Sequence, residues 1–115
     1  MESHQRERAL IAVVDGLEAE LRRMQLWEHE PPSETQLAST QPFSYDTLAF
    51  PQWLQWQLIP RMRRIFAGEG SLPTQSAIRP YAEDCVEHLD DPSTLLLLIE
   101  RFDGLIRGGA GSVTH

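Results

Sequence analysis

The chain contains no lysine: all ten of its basic residues are arginine, and its formal net charge is −7. Free nucleic acid and anionic membrane surfaces carry charge of the same sign, so on average they are repelled. A local cluster of arginines can override that average, since each guanidinium presents a rigid, planar set of donors. The composition therefore disfavours RNA as a partner without excluding it, and it gives no indication of membrane binding.

The chain also has only one cysteine, Cys85, so no disulfide can form within it. Its first residues are polar and charged and lack the apolar core of a signal peptide, and no apolar run approaches membrane-spanning length. We expect a soluble, cytoplasmic protein. A length of 115 residues with 41% hydrophobic and 23% charged residues is typical of one globular domain. We predict that domain at 1–107 and a disordered tail at 108–115.

No stretch alternates apolar and polar residues as a β-strand would, whereas apolar residues recur at helical spacing in four segments. The first predicted helix covers roughly 3–27 and is ended by Pro31 and Pro32. A long connector follows at 28–49, in which Ser33 begins a short helix. Connectors of this length usually pack against the fold or carry function.

The second main helix is predicted to begin at Pro51 and to end before Gly68. Pro60 falls inside it, and an interior proline removes a backbone hydrogen bond and clashes with the preceding turn, so we expect a kink there.

A third helix is predicted at about 77–89, and a fourth begins with Asp91 as its cap and Pro92 at its first position and ends at Gly108. The predicted fold is therefore all-α: an antiparallel bundle of four main helices, with a long connector after the first and a proline-kinked central helix.

No catalytic constellation appears in the sequence, since it has no glycine-rich phosphate loop after a strand, no Ser-His-Asp set and no zinc-ligand spacing. Asp84 and His88 share a helical face and could in principle meet a metal ion, but two ligands without a third make a poor site, and a solvated acidic face is the better interpretation. Cys85 lies on an apolar stripe, which favours a packed thiol over a nucleophile. Asp46 is predicted to cap a turn. We predict no enzymatic activity, no metal and no cofactor.

Several short motifs together resemble one family, the YqcC-like small bacterial helical proteins, over most of residues 5–107. The motifs are Ser39-Thr40-Gln41-Pro42-Phe43, Asp46-Thr47, Trp53-Leu54-Gln55-Trp56, Leu58-Ile59-Pro60-Arg61-Met62, Leu72-Pro73 and Pro80-Tyr81. The resemblance implies an all-α, bundle-like fold and a loose genomic association with a tRNA pseudouridine synthase. It supplies no catalytic residues. Pseudouridine synthases use an aspartate nucleophile, but they resemble large mixed α/β folds that a helical chain of this size cannot form.

A candidate binding surface lies on the central helix, where Trp53, Gln57, Arg61 and Arg64 recur at helical spacing. Trp56 and Arg63 flank this row, and the aromatic residues Phe43, Tyr45 and Phe50 could complete it. Aromatic residues beside arginines are the composition of interaction hot spots. The alternative is that both tryptophans belong to the core and the arginines are merely solvated.

The four consecutive leucines at 95–98 give a second indication, because they cannot all face one core. Leu96 and Leu97 either pack on the connector or form a homodimer or partner interface.

Two functional hypotheses follow. The first is a non-enzymatic protein-interaction module that uses the face around Trp53, Gln57, Arg61 and Arg64 to bind an unidentified protein. The alternative is an accessory factor in tRNA or RNA modification, which binds a pseudouridine synthase or binds RNA directly. In the RNA case Arg61, Arg63 and Arg64 would contact phosphates and an aromatic ring would stack on a base.

Overall fold

Helices account for all the regular structure in residues 2–111, which the computed structural model describes. In chain order the elements are α1 (Glu2–Arg23), α2 (Glu34–Leu37), a 3-10 turn (Pro42–Ser44), α3 (Phe50–Trp53), a π-helical segment (Leu54–Leu58), α4 (Ile59–Phe66), α5 (Ile78–Cys85) and α6 (Ser93–Gly111). We call α3, the π-helical segment and α4 together the central helix, because they follow one another without a break. The all-α prediction is confirmed.

Helix α1 buries the apolar stripe seen in the sequence and ends earlier than predicted. It stops at Arg23 because Gln25 adopts a left-handed conformation, with φ of 61°. The Leu26 N–H then donates to the Leu21 carbonyl at 2.8 Å, and the Gln25 N–H to the Arg22 carbonyl at 3.0 Å. This pair of bonds is the Schellman motif. The predicted end near residue 27 was therefore wrong, and a local backbone turn ends the helix well before the two prolines.

The connector contains the short helix predicted at Ser33. The Ser33 hydroxyl accepts from the Gln36 N–H at 3.1 Å, and the Gln36 side chain accepts from the Ser33 N–H at 2.9 Å. This reciprocal capping box satisfies two backbone donors and allows α2 to form with only four residues.

The central helix begins as predicted, with Pro51 in its first turn. It passes through Pro60 by means of the π-helical segment that immediately precedes it, in which the Ile59 N–H bonds to the Leu54 carbonyl. A wider turn at this point is compatible with the missing N–H and the bulky ring of proline. The helix ends at a second Schellman motif, with Gly68 at φ of 96°, which confirms the predicted stop.

Helix α5 is shorter than the segment predicted at 77–89, because Val86 leaves the helical conformation, with φ of −109° and ψ of 2°, and the helix ends at Cys85. Its N-terminus is capped from another helix. Asp103 of α6 is buried and accepts hydrogen bonds from the Ile78 N–H at 3.0 Å and the Arg79 N–H at 2.8 Å. A carboxylate that accepts the first free N–H groups of a helix stabilises its start. The loop before α5 is held at the same point, since the Ser76 hydroxyl also donates to Asp103.

The prediction that Asp91 caps the last helix was wrong by one residue. The Pro92 carbonyl accepts the first helical bond, from the Leu96 N–H at 2.9 Å, so Pro92 itself occupies the cap position. Asp91 instead accepts from the Ser93 hydroxyl at 2.9 Å. Helix α6 continues to Gly111 and does not end at Gly108. The tail at 108–115 stays a prediction, since its last four residues lie outside the described range.

One hydrophobic core joins these elements. Helix α1 packs chiefly against α6, α5 also packs against α6, and the central helix packs against α1. The largest fully buried side chains are Phe102, Leu10, Leu17, Leu21, Leu54, Ile59, Met62, Leu95, Ile99 and Ile106. Within residues 2–111, no helix is both long enough and apolar enough to cross a membrane.

Candidate functional site

A surface groove on the central helix gathers five of the seven predicted binding residues. It has a volume of about 370 Å³ and is lined by Leu37, Trp53, Trp56, Gln57, Leu58, Arg61 and Arg64. Side chains four positions apart on a helix lie on the same face, and this brings the predicted residues together. We call this surface the arginine groove.

The two arginines of this groove are available for binding. Arg61 and Arg64 are exposed, and neither has an acidic partner within ion-pair distance among the residues that the structure describes. An exposed guanidinium keeps its full set of donors for a carboxylate or phosphate from another molecule.

Arg63 lies outside the groove and is engaged with α1. Its guanidinium contacts Glu18 at 2.7 Å and Asp15 at 3.1 Å. The hydrogen bond from Arg63 lowers the pKa of Glu18. Burial alone would lower the pKa of Arg63, but the two carboxylates outweigh it and raise the value. Arg63 therefore has a structural role, because it joins α1 to the central helix.

Trp53 belongs partly to the core and partly to the groove. It is half-buried, with its ring 4.9 Å from that of Phe43 in an edge-on arrangement and 6.0 Å from that of Phe50. Phe43 also stacks on Tyr81 at 4.4 Å, almost parallel. Phe43 and Phe50 thus pack on Trp53 as expected, whereas Tyr45 is 57% exposed and contributes little cover. Sequence reasoning missed Tyr81, although it lies in the Pro80-Tyr81 motif.

Trp56 and the glutamines around it attach the connector to the central helix at Glu28. The Trp56 Nε1–H donates to the Glu28 carboxylate at 3.0 Å. Gln55 is buried and bonds to both backbone groups of Glu28, accepting from its N–H at 2.8 Å and donating to its carbonyl at 2.7 Å. Gln52 also donates to the Glu28 carboxylate. The Trp-Leu-Gln-Trp motif therefore has an architectural role beside its place in the groove.

Gln57 holds the connector against the central helix at the side of the arginine groove formed by Leu37. Its side chain donates to the Leu37 carbonyl at 3.1 Å and accepts from the buried Ser44 hydroxyl at 3.0 Å. Ser44 and its neighbour Phe43 both have positive φ, 47° and 57° respectively. Such conformations are unfavourable for residues other than glycine and persist only where surrounding contacts enforce them. The connector is thus held in one conformation along the groove.

A second groove, of about 340 Å³, adjoins the first and is mainly apolar. Its lining includes Phe43, Met62, Pro73, Ala77, Ile78 and Phe102. Both grooves share three lining residues, Trp53, Leu58 and Arg61. We call this second surface the apolar groove. Arg61 stands at the border between a cationic surface and an apolar one.

The family model described as tRNA pseudouridine synthase C, DUF446, matches residues 9–105. The chain belongs to this family. Among relatives of this chain, the uncharacterized protein YqcC of Escherichia coli K12 is 38% identical over 112 residues, covering 96% of this chain and 99% of YqcC. The solution NMR structure of that protein matches with a TM-score of 0.75 at 35% identity, over 89% of this chain and 87% of that one. The resemblance inferred from the motifs is confirmed.

Two further relatives match this chain over different shares of their own length. An uncharacterized protein of Haemophilus influenzae is 34% identical over 83 residues, which are 72% of this chain and 78% of that protein. A protein of Pectobacterium carotovorum named tRNA pseudouridine synthase C is 42% identical over 57 residues. That match takes in 50% of this chain but only 15% of the synthase.

Asp46, Cys85 and His88 were considered from the sequence as catalytic or metal-binding candidates. Asp46 is exposed and accepts from the Ser39 hydroxyl at 2.6 Å, so it closes the connector loop through that side chain. Cys85 is half-buried, and Tyr81, one turn before it, has its pKa raised to about 12, chiefly by burial. His88 is exposed, and within the described residues no group of three or more His, Cys, Asp or Glu is placed to hold a metal ion.

The four consecutive leucines of α6 differ in burial, because consecutive helical residues point in different directions. Leu95 is buried, Leu96 and Leu98 are half-buried, and Leu97 is 58% exposed. Leu98 packs over Gly16 of α1, where a methyl group would lie only 3.2 Å from the leucine side chain. The four leucines thus do not all face one core, as their spacing predicts, and Leu97 is the exposed one.

Proposed function

We propose that this chain is a protein-binding module without catalytic activity of its own, and that its arginine groove binds a tRNA pseudouridine synthase. The observation that carries the proposal is the pair Arg61 and Arg64, exposed beside Trp53 and Trp56 and without acidic partners among the described residues. Arginine and tryptophan are the residue types most enriched at interface hot spots.

The choice of partner rests on the Pectobacterium protein. A segment similar to half of this chain occurs in a polypeptide named tRNA pseudouridine synthase C, where it accounts for a small part of the length. Two units that occur in one polypeptide in one organism are reasonable candidates for physical association elsewhere. The description of the family supports the same choice.

The proposal assigns no reaction to the chain. Asp46 is the residue that a comparison with pseudouridine synthases would single out, and it is exposed and bonded to Ser39. A catalytic carboxylate is expected in a cleft with other polar groups directed at a substrate. A non-catalytic role in the cytoplasm, as an accessory to RNA modification, fits these observations without requiring a new active site.

The experiment that tests the proposal is a titration of the purified chain with the tRNA pseudouridine synthase C of the same organism. Wild type is compared with an Arg61→Glu, Arg64→Glu double variant, since reversing charge at a binding surface weakens it strongly. We expect affinity to fall at least about 100-fold, as for the loss of two hot-spot side chains. Arg101→Glu is the matched control, because Arg101 is an exposed arginine of α6 that lines neither groove. Equal binding by the double variant and wild type, or no binding by either, would overturn the proposal.

Direct RNA binding is the second candidate, favoured by the same two arginines beside an indole. It is the weaker one, because Arg63, the third arginine of that hypothesis, is paired with Glu18 and Asp15. Filter binding of tRNA to the chain alone, over a salt series, tests it. A steep loss of affinity with salt that disappears in the double variant would support RNA as the ligand.

A further inference from the structure

The arginine groove and the apolar groove form one continuous surface with two chemical halves. They share Trp53, Leu58 and Arg61, so a ligand that lies across Arg61 meets both. One half offers two guanidinium groups, and the other offers the partly exposed Phe43 and Pro73 and the exposed Ala77 above a buried apolar floor. Such a surface is complementary to a ligand with an anionic group close to an apolar group.

The two unpaired guanidinium groups indicate which anionic group the ligand carries. Arg63 is neutralised by two carboxylates of α1, and Arg79 is paired with Glu83 and Glu100. Arg61 and Arg64 have no such partner in the described part of the chain. A guanidinium binds a carboxylate through two parallel hydrogen bonds, and these charge-assisted bonds are about twice as strong as neutral ones.

The aromatic residues favour a peptide over RNA as the ligand. Base stacking requires an open ring face, but Phe43 and Phe50 pack against the ring of Trp53. The indole N–H of Trp56 is already bonded to Glu28, so it is not free to donate to the edge of a base. Two free arginines also supply few of the phosphate contacts by which proteins hold nucleic acid, and the net charge of −7 opposes it.

We infer that the combined groove binds a peptide segment of a partner protein in which an acidic residue lies next to a bulky apolar residue. The carboxylate pairs with Arg61 and Arg64, and the apolar side chain enters the apolar groove beside Phe43 and Pro73. This inference rests on the proposed function, in that the segment belongs to the protein partner, and it adds the chemistry by which that partner is recognised.

The test is a selection from a random peptide library displayed on phage, using the purified chain alone as bait. Peptides are counter-selected against an Arg61→Gln, Arg64→Gln double variant, and the enriched peptides are synthesised and titrated by fluorescence anisotropy. We expect Asp or Glu beside Leu, Ile, Met or Phe. Either single variant, Arg61→Gln or Arg64→Gln, should weaken binding at least about tenfold, and the control Arg101→Gln should leave it unchanged.

Changes in the peptide test the two halves separately. Replacing its acidic residue by the corresponding amide, or its apolar residue by serine, should each weaken binding at least about tenfold. No enrichment, enriched peptides without acidic residues, or binding unaffected by the arginine variants would overturn the inference. So would tRNA that competes with every selected peptide and binds more tightly through the same arginines.

This result is separable from the titration with the synthase. A synthase that binds through the arginine groove while no acidic, apolar peptide does would leave the proposed function standing and overturn the inference. Selected peptides that bind as expected without any binding of the synthase would support the inference and overturn only the identity of the proposed partner.

Discussion

Gln25 and Gly68 occupy the same position in the same helix-ending motif, but only one of them suits it. Both have positive φ, 61° and 96° respectively, and both follow the last turn of a main helix. Glycine adopts this conformation freely because it has no Cβ, whereas other residues lose about 1 kcal/mol or more. The end of α1 is therefore less favourable locally than the end of the central helix.

We predict that Gln25→Gly raises the free energy of unfolding by about 1 kcal/mol and that Gly68→Ala lowers it by a similar amount. A Cβ at Gly68 would meet no atom within 4 Å, so backbone strain is the only source of the loss. Urea unfolding followed by circular dichroism measures both. A decrease in stability on Gln25→Gly would show that the left-handed conformation at this site carries little strain.

Asp103 is the buried charged residue on which the start of α5 depends. It is 1% exposed, and its two carboxylate oxygens accept from the backbone N–H groups of Ile78 and Arg79. Removing the acceptor leaves buried donors without partners, which costs more than the bond itself contributes.

We predict that Asp103→Ala lowers the free energy of unfolding by about 2–3 kcal/mol, from a lost cap and an unpaired buried donor. The matched control is Asp84→Ala, since Asp84 is exposed on α5 and accepts no such bonds within the described residues; its effect should stay within about 0.5 kcal/mol. Urea unfolding compares the two. Similar small losses for both variants would contradict the role assigned to Asp103.

At the scale of elements, Arg63 joins α1 to the central helix through Glu18 and Asp15. The hydrogen bond from Arg63 lowers the pKa of Glu18 below its ordinary value of 4.5. A carboxylate whose pKa is lower in the folded state stabilises the fold above its unfolded pKa, and that contribution is lost as the pH falls through the folded pKa.

We predict that Arg63→Gln lowers the free energy of unfolding by about 0.5–1 kcal/mol at about pH 7, as for a partly exposed ion pair. The difference from wild type should shrink as the pH falls through the lowered pKa of Glu18, because protonation removes the charge that Arg63 pairs with. Urea unfolding over a pH series from neutral to acid measures it, and Arg101→Gln, which alters an exposed arginine, should show no such trend. A difference that persists at acid pH would mean that Arg63 acts through packing of its aliphatic stem.

The sequence predicted those elements whose signals lie within a few neighbouring residues. The capping box at Ser33, the start at Pro51 and the stop at Gly68 each depend on local residue types, and each was found where predicted. The row from Trp53 to Arg64 was predictable because helical spacing is local as well. Gln25 was missed because glutamine carries no signal for a left-handed turn.

The features that could not be predicted depend on contacts between distant residues. Asp103 caps a helix that begins 25 positions earlier, and Arg63 meets carboxylates 45 and 48 positions away. No periodicity within one segment reports such pairs. This is why Arg63 was grouped with Arg61 and Arg64 from spacing alone, although its guanidinium is directed at α1.

For the whole molecule, the position of the unpaired arginines says more about the ligand than the net charge does. The chain is acidic overall, and several of its arginines are paired with carboxylates on their own or neighbouring helices. Against that background, two guanidinium groups in one groove form a local site of positive potential. An acidic surround limits how much negative charge a ligand can carry before it is repelled, and this favours a peptide with one or two carboxylates over a polyanion.

The exposure of Leu97 bears on whether the molecule self-associates. Among the described large apolar residues, only Ile11, Tyr45 and Leu97 are exposed, and Ile11 is the least exposed of the three at 37%. A stable interface buries about 800 Å² on each partner, and isolated exposed apolar residues are normal on a monomer. We therefore predict a monomer at about 10 μM by sedimentation velocity, with Leu97→Gln sedimenting identically and changing stability by less than about 0.5 kcal/mol. A dimer that Leu97→Gln dissociates would instead assign this face of α6 to an interface between two copies of the chain, separate from the arginine groove.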